Sequence, residues 1–245
     1  GAGATLQAGG LLHLAAAPAD QAAPPSALGA SLQIDAGQIR QDGRIVLPSG
    51  SVSLDAQNGV TLGAASRIDV AGRHVAVGEA SADLGGGQVS LATGAGDVAM
   101  QGGIVDVSGA GAAAGGRIEL AAPQGTVQVL GQLRGTSTGS QGAELAIDSG
   151  APIDLAALAR HIDETDPTSF GGAIRVHQRS GDLEVGPQTQ LAAREIELST
   201  DGGALTVRGT LDARSADGGR IALAAQGALT LAPGAALLAS AQAAD

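Results

Sequence analysis

The chain has 245 residues and a formal net charge of −11, with no Cys, no Lys and a single side chain of the Phe, Tyr or Trp type, Phe170. An acidic surface without basic patches or stacking aromatics argues against a nucleic-acid partner, and the lack of Cys excludes disulfides and Cys-ligated metals. The chain contains no run of 18 apolar residues, so no membrane span is predicted. Because the sequence has no signal peptide and does not start with Met, we expect an internal segment of a longer protein.

In chain order, the predicted elements are short strands that recur as triplets with apolar outer members. Strand side chains alternate, so the outer members should face inward and the middle one should face water. The spacings between first triplets run from 20 to 37 residues, which is typical of a solenoid. These triplets start at Leu6, Leu32, Val52, Val89, Ile118, Leu145, Ile174, Ile196 and Ile221.

Further triplets come after the first within many of the repeats, separated by Gly-rich turns. In residues 86–142 all three triplets repeat at an offset of 29 residues, and a Gly-Gly pair opens each half at Gly86 and at Gly115. Second triplets lie at 60–62, 98–100, 127–129, 183–185, 205–207 and 229–231, and third triplets at 68–70, 105–107 and 211–213.

Three segments interrupt the pattern. Residues 15–30 are rich in Ala and Pro and are predicted to form a loop, and residues 71–87 are predicted to form a loop or an extra strand. Residues 151–170 are predicted to contain a short helix that replaces the second and third strands of its coil. Apolar residues at 155, 158, 159 and 162 share one helical face, Pro152 suits the first turn, and Asp166-Pro167 ends the segment.

These patterns predict an all-β chain that forms one domain over residues 1–245. Parallel stacking of like triplets closes a continuous core, so the expected architecture is a parallel β-helix of about nine coils with one short helical insert. The steps within and between coils are irregular, whereas left-handed β-helices keep a strict six-residue period, and this favours the right-handed form.

Four groups of residues in this framework could carry a chemical site. The Gly-rich stretches lack the Lys and the helix of a phosphate loop, and the turn carboxylates lack the nine-residue series of a calcium roll. The four histidines show no metal-ligand spacing. Exposed middle carboxylates could stack as in polysaccharide-active enzymes, but no Lys base and no aromatic sugar platform accompany them. The carboxylates in question are Asp69, Asp106, Glu119 and Asp212. No enzyme, cofactor or metal is therefore predicted.

The 151–170 insert is the candidate partner-binding site. Binding concentrates on irregular segments carried by rigid scaffolds, and this segment differs most from the repeated coils. The competing interpretation is that its apolar face only covers the core. The candidate residues are His161, Asp163, Glu164, Asp166 and Phe170.

The repeat resembles the shaft repeats of filamentous haemagglutinin-type exoproteins of the two-partner secretion family. The strings that carry the resemblance are 86–91 (GGQVSL), 104–109 (IVDVSG), 115–120 (GGRIEL) and 218–223 (GGRIAL). The family's secretion domain with its Asn-Pro-Asn-Gly motifs is not recognisable here. The resemblance implies a right-handed β-helix, export through an outer-membrane transporter of the two-partner type, and a place outside a Gram-negative cell.

The expected function is thus a non-catalytic shaft segment of a large secreted surface adhesin, of the kind involved in cell adhesion and virulence, with host-cell or bacterial surface glycans or proteins as possible ligands. Two alternatives remain open: a secreted polysaccharide-active β-helix enzyme, and a haem- or metal-scavenging exoprotein. Stacked carboxylates in a groove would favour the enzyme, and histidines paired in space would favour haem or metal.

Overall fold

The computed structural model describes residues 2–16, 28–78, 80–139, 142–162 and 169–241, with all of their side chains except that of Val77. Within these residues the chain winds into a stack of parallel β-coils, which confirms the predicted parallel β-helix. The strands of successive coils pair side by side and form three parallel faces, named here A, B and C.

Face A runs the full length of the stack and contains nine strands, one from each coil, as predicted. Its members pair in the order in which they occur in the chain. The strands are β1 (Gly3–Leu14), β2 (Ser31–Gln41), β4 (Ser51–Ala56), β9 (Gln88–Thr93), β12 (Arg117–Ala122), β15 (Glu144–Ser149), β16 (Ala173–Gln178), β19 (Glu195–Thr200) and β22 (Arg220–Ala225).

Faces B and C are interrupted at the sixth coil. The long strands β1 and β2 turn the corner from face A to face B, and their second halves begin face B. It continues with β5 (Gly59–Leu62), β10 (Asp97–Met100) and β13 (Val127–Val129), and resumes with β17 (Leu183–Val185), β20 (Leu205–Val207) and β23 (Leu229–Leu231). Face C contains β3 (Arg44–Val46), β6 (Arg67–Asp69), β11 (Ile104–Asp106) and β14 (Gln132–Arg134), and resumes with β18 (Gln190–Ala192), β21 (Thr210–Asp212) and β24 (Ala236–Leu238).

The core is a set of apolar columns that run along the stack. Ile118 lies between Val89 and Leu145 in register, and all three side chains are buried. Glu119, the next residue, points outward and is exposed. Because each coil supplies the same inward positions, small aliphatic side chains fill most of the narrow interior, and Phe170 is the one aromatic ring among them.

The Gly-Gly pairs that open the repeats mark places where neighbouring backbones touch. A Cβ atom built on Gly86 would lie 1.9 Å from the carbonyl oxygen of Val107, and one on Gly116 would lie 1.9 Å from that of Gly87. Only glycine fits at these two positions, which explains why the pair recurs with the coil.

The register between coils differs at two places from the register that the repeated triplets predict. In the first coil Ala4 lies beside Leu32, and Leu6 lies beside Ile34, so the predicted first triplet is displaced by two residues. On face C Val105 lies beside Leu133, an offset of 28 residues and not 29. The turn between faces B and C is therefore one residue shorter in the fifth coil than in the fourth.

Within residues 71–87 the described chain contains an antiparallel hairpin whose second strand is exposed along its whole length. Its strands are β7 (His74–Val77) and β8 (Ala80–Asp83), and the imidazole of His74 contacts the carboxylate of Asp83 across the pair. The prediction of a loop or one extra strand was therefore incomplete, because the excess length folds back on itself. Of the predicted 15–30 loop, residues 17–27 lie outside the described residues.

Helix α1 (Leu155–His161) occupies the position predicted for the insert and replaces the face-B strand of the sixth coil. Its face-C counterpart is reduced to a single parallel bridge between Leu133 and Ile162. The carboxylate of Asp154 caps the helix by accepting a hydrogen bond of 2.8 Å from the backbone N–H of Ala157.

Candidate functional site

The insert is docked on the stack by its apolar face. Leu155, Leu158 and Ile162 are buried, and the helix packs against β13, β17 and β18. These side chains close the core where two strands are missing. The arrangement matches the competing interpretation of the segment, in which its apolar face covers the shaft.

Of the five residues predicted to form a binding site there, the structure describes two, His161 and Phe170. Phe170 is fully buried beneath Gly135, so its ring is a core side chain and is not presented to a partner. His161 is half-buried at the end of the helix. Asp163, Glu164 and Asp166 lie outside the described residues.

A shallow groove of about 600 Å³ separates α1 from the turn that precedes β18. Its walls are Ala156, Ala159 and Arg160 on the helix side and residues 186–190 with Ala192 on the other. Neither of the two described candidate residues, His161 and Phe170, lines this groove.

The Asp residues of face C are turn-capping groups. The carboxylate of Asp69 accepts the N–H of Ala71 at 3.2 Å, and Asp106 does the same for Ser108 at 3.1 Å. Asp212 repeats the contact in the eighth coil, accepting the N–H of Arg214 at 3.1 Å. This Asx-type contact gives a structural reason for the recurrence of an acid in the third triplet.

The prediction that Asp69 and Asp106 are exposed was wrong, because both are buried where the chain leaves face C. Burial opposes ionisation of Asp69, but hydrogen bonding from Arg67 and the charge of Arg73 outweigh it and hold the pKa of this carboxyl below its usual value. Arg67 and Arg73 each approach the carboxylate to 3.1 Å. The alternation of inward and outward side chains fails at Asp69 because its carboxylate turns back to the backbone N–H of Ala71 at the corner.

The outer surface of face A carries a charge ladder, defined as Arg117, Glu144, Arg175, Glu195 and Arg220. Glu144 accepts hydrogen bonds from Arg117 at 3.2 Å and from Arg175 at 3.1 Å, and Glu195 accepts from Arg175 and Arg220, each at 2.7 Å. The sign of the side-chain charge alternates from one strand to the next, from β12 to β22. Hydrogen bonding from Arg175 is the largest cause of the lowered pKa of Glu195, so this carboxylate remains ionised and paired at neutral pH.

Beside the charge ladder lies an outer groove of about 400 Å³ over the fifth to eighth coils. Ala146 and Ser199 are the small side chains that leave room for it, and Glu119 and Glu197 stand at its two ends. His177 lies in its middle with its ring nitrogens 3.4 Å from Asp148 and 2.8 Å from Asp201. Sequence reasoning missed this groove, although the small residues between charged ones on successive strands were a signal for it.

The two glutamates of the outer groove are far apart along the stack. Glu119 and Glu197 lie in the same outward column three strands apart, so their Cα atoms are separated by about 14 Å at the usual strand spacing. The carboxyl groups of a glycosidase pair stand roughly 5–9.5 Å apart, and here Ala146 and Arg175 occupy the column positions between the two glutamates. Within the described part of the chain, no group of three or more His, Asp or Glu side chains is arranged to hold a metal ion.

Comparison with known proteins gives no family for this chain: no family model, no curated protein and no solved structure matches it. In the part of the chain that the structure describes, no helix has the length and hydrophobicity needed to cross a bilayer.

Proposed function

We propose that this chain is a non-catalytic shaft segment of a large secreted adhesin, displayed on the surface of a Gram-negative bacterium and exported by an outer-membrane transporter of the two-partner type. The observation that supports this most strongly is the unbroken register of face A, in which nine successive strands stack without a gap. A stack of this kind holds the two ends of the chain at a fixed distance.

The outer surface supports the same proposal. Five charged side chains of face A pair with one another in the charge ladder, and the recurrent acids of face C cap turns. The ladder joins neighbouring coils and the capping contacts hold turns within a coil, so both arrangements give ionisable groups a structural role. The repeat strings that resemble filamentous haemagglutinin-type shafts coincide with β9, β11, β12 and β22, so the resemblance and the coil structure involve the same residues.

Deletion of one coil tests the proposal. Removing residues 90–118 joins Val89 to Glu119 and keeps Leu120 pointing inward, because the face-A offset between these strands is 29 residues. A shaft tolerates this change, so bacteria that carry the shortened exoprotein should secrete it and adhere to host cells as the unaltered strain does.

The matched control removes residues 91–118, one residue fewer. This deletion places Glu119 in the inward column and turns Leu120 outward, and it should abolish surface display because a one-residue slip exchanges the two faces. Loss of adhesion by the in-register deletion, with its secretion and circular dichroism unchanged, would contradict the shaft proposal and assign ligand binding to the deleted coil.

A polysaccharide-active enzyme is the second candidate, and the outer groove is the observation that favours it. The test is incubation of the purified chain with acidic and neutral polysaccharides and measurement of new reducing ends. Product formation that disappears in Glu197→Gln would establish the enzyme, whereas no product above the level of boiled protein is expected of a shaft.

A further inference from the structure

The chain contains a single asparagine, Asn58, and a glycine follows it directly. The pair lies at the corner between β4 and β5 in the third coil. The backbone of this corner is held by its neighbours: the N–H of Asn58 donates to the carbonyl oxygen of Gly37 at 2.9 Å, and Gly59 lies beside Asp97 of the next coil. A tight turn between two faces is by itself a structural reason for the Asn-Gly sequence.

The side chain of Asn58 takes no part in holding the corner. It is exposed, and among the residues that the structure describes none forms a hydrogen bond with its amide. At the same corner of the fourth coil, by contrast, the hydroxyl of Thr93 accepts the N–H of Gly96 at 3.1 Å. The side-chain carbonyl carbon of Asn58 is therefore open to attack, and Gly59 has no side chain to shield its backbone nitrogen.

An exposed asparagine before glycine can cyclise without a catalyst. The backbone nitrogen of Gly59 attacks the side-chain carbonyl carbon of Asn58, a C–N bond forms, the bond to Nδ2 breaks, and ammonia leaves with the backbone proton. The product is a five-membered imide. Water then opens the imide at either carbonyl and gives aspartate or isoaspartate, in which the main chain runs through the β-carbon. Because the attack is intramolecular, its rate depends on how the two groups are positioned.

The other pairs in the chain that could form the same imide are less reactive. They are three Asp-Gly pairs, at Asp42, Asp201 and Asp217. An ionised carboxylate is a poorer electrophile than an amide, because its charge repels the attacking nitrogen. Arg40 also holds the carboxylate of Asp42 at 2.6 Å, and His177 contacts that of Asp201 at 2.8 Å. Sequence and structure together therefore single out Asn58.

We propose that Asn58 is a site of spontaneous deamidation in the folded chain, with isoaspartate among its products. Isoaspartate places one extra backbone atom immediately before β5, where Val60 lies between Ile39 and Val98 in register. The modification therefore lengthens one corner of the third coil and loosens the pairing of β5, whereas aspartate at this position leaves the backbone length unchanged. The site does not depend on the proposed shaft function, so failure of either proposal leaves the other standing.

Peptide mapping tests the modification itself. Trypsin cleaves after Arg44 and Arg67, so residues 45–67 form one peptide in which Asn58 is the only asparagine. After incubation of the whole chain at pH 8, this peptide should give separate aspartate and isoaspartate forms. Its deamidation should exceed that at any Gln-Gly pair by about tenfold or more, because glutamine must close a larger ring.

Two results of the mapping would overturn the proposal. If the peptide from the folded chain stays unchanged while the same chain unfolded in urea deamidates at Asn58, the fold protects this residue. If aspartate forms without isoaspartate, the amide is hydrolysed directly and the imide route is wrong.

Hydrogen exchange tests the structural consequence. The incubated chain should exchange faster in β5 than the fresh chain does, while β20 on the same face stays unchanged. Asn58→Gln incubated in the same way is the matched control and should keep its slow exchange in β5, and so should Asn58→Asp, which adds the charge without the extra backbone atom. Equal quickening of β5 in Asn58→Gln would assign the change to another site and refute this role of Asn58.

Discussion

At the scale of single residues, adjacent positions of one strand have opposite surroundings. Ile118 is enclosed by the columns above and below it, whereas the side chain of Glu119 is 51% exposed and meets Arg117 only at 3.8 Å. A surface contact of that length contributes little, while removal of a buried aliphatic group leaves a cavity. The contribution of a residue to stability therefore depends on whether its side chain faces inward or outward from the strand.

Ile118→Ala should lower the free energy of unfolding by about 2–5 kcal/mol because the side chain is fully buried between two coils. The measurement is equilibrium unfolding in urea monitored by circular dichroism. The matched control, Glu119→Gln, should change the free energy by less than about 0.5 kcal/mol. Equal shifts of the two midpoints would show that the register of β12 is wrong.

Asp69 should make stability depend on pH. Its pKa is lower in the folded chain than the usual 3.8, so the ionised acid stabilises the fold above that value, and the contribution is lost as pH falls through the lowered pKa. Asp69→Asn should destabilise the chain by about 1–3 kcal/mol at pH 7. Because the wild-type acid becomes protonated, the difference should shrink as pH falls below 3.8.

The control for Asp69 is Asp55→Asn, a change at an exposed position on the outer side of β4. Thermal melts of the three proteins between pH 2 and pH 7 compare them directly. If the loss of stability caused by Asp69→Asn stays constant over this range, the acid contributes through the geometry of its hydrogen bonds and its charge is irrelevant.

At the scale of elements, a buried amide adds a polar link between the stack and the segment that leads into the insert. The side-chain N–H groups of Gln178 donate to the carbonyl oxygens of Ser180, Gly181 and Asp182 at 2.8–3.1 Å, and its oxygen accepts from the N–H of Ile153 at 3.0 Å. The side chain is fully buried at the end of β16. It therefore links the turn of one coil to the segment that leads into α1.

Gln178→Leu should leave these backbone groups without partners and destabilise the chain by about 1–3 kcal/mol. The effect should be local: hydrogen exchange at the amide of Ile153 and along α1 should quicken more than in β9. Gln190→Leu, at an exposed position of β18, is the control and should change neither. Uniform quickening along the whole stack would show that Gln178 supports the core and does not hold the insert.

At the scale of the whole molecule, the chain is a one-dimensional array in which each coil contacts its neighbours. Nine coils at the usual strand spacing span about 38 Å between the first and last strands. Stability in such arrays is close to a sum over neighbouring coils. This additivity is why the proposed shaft should lose one coil without losing its fold.

The sequence by itself determined the class of fold, the count of coils and the position of the insert. These depend on local signals: period-2 alternation around residues such as Val89 and Ile118, glycines at the close approaches of Gly86 and Gly116, and a capped apolar helix face after Pro152. Each signal lies within one coil, so it can be read without knowing which coils are neighbours.

Only the tertiary structure decided the register between coils and the contacts that this register creates. The placement of Leu6 beside Ile34, the 28-residue offset on face C and the burial of Asp69 depend on turn lengths and on backbone hydrogen bonds between coils. The charge ladder and the burial of Phe170 likewise require residues from different coils to meet. Alternation determines which side of a strand a residue faces, but its partner is set by how the neighbouring coil is shifted, because pairing energy is gained between coils and not within them.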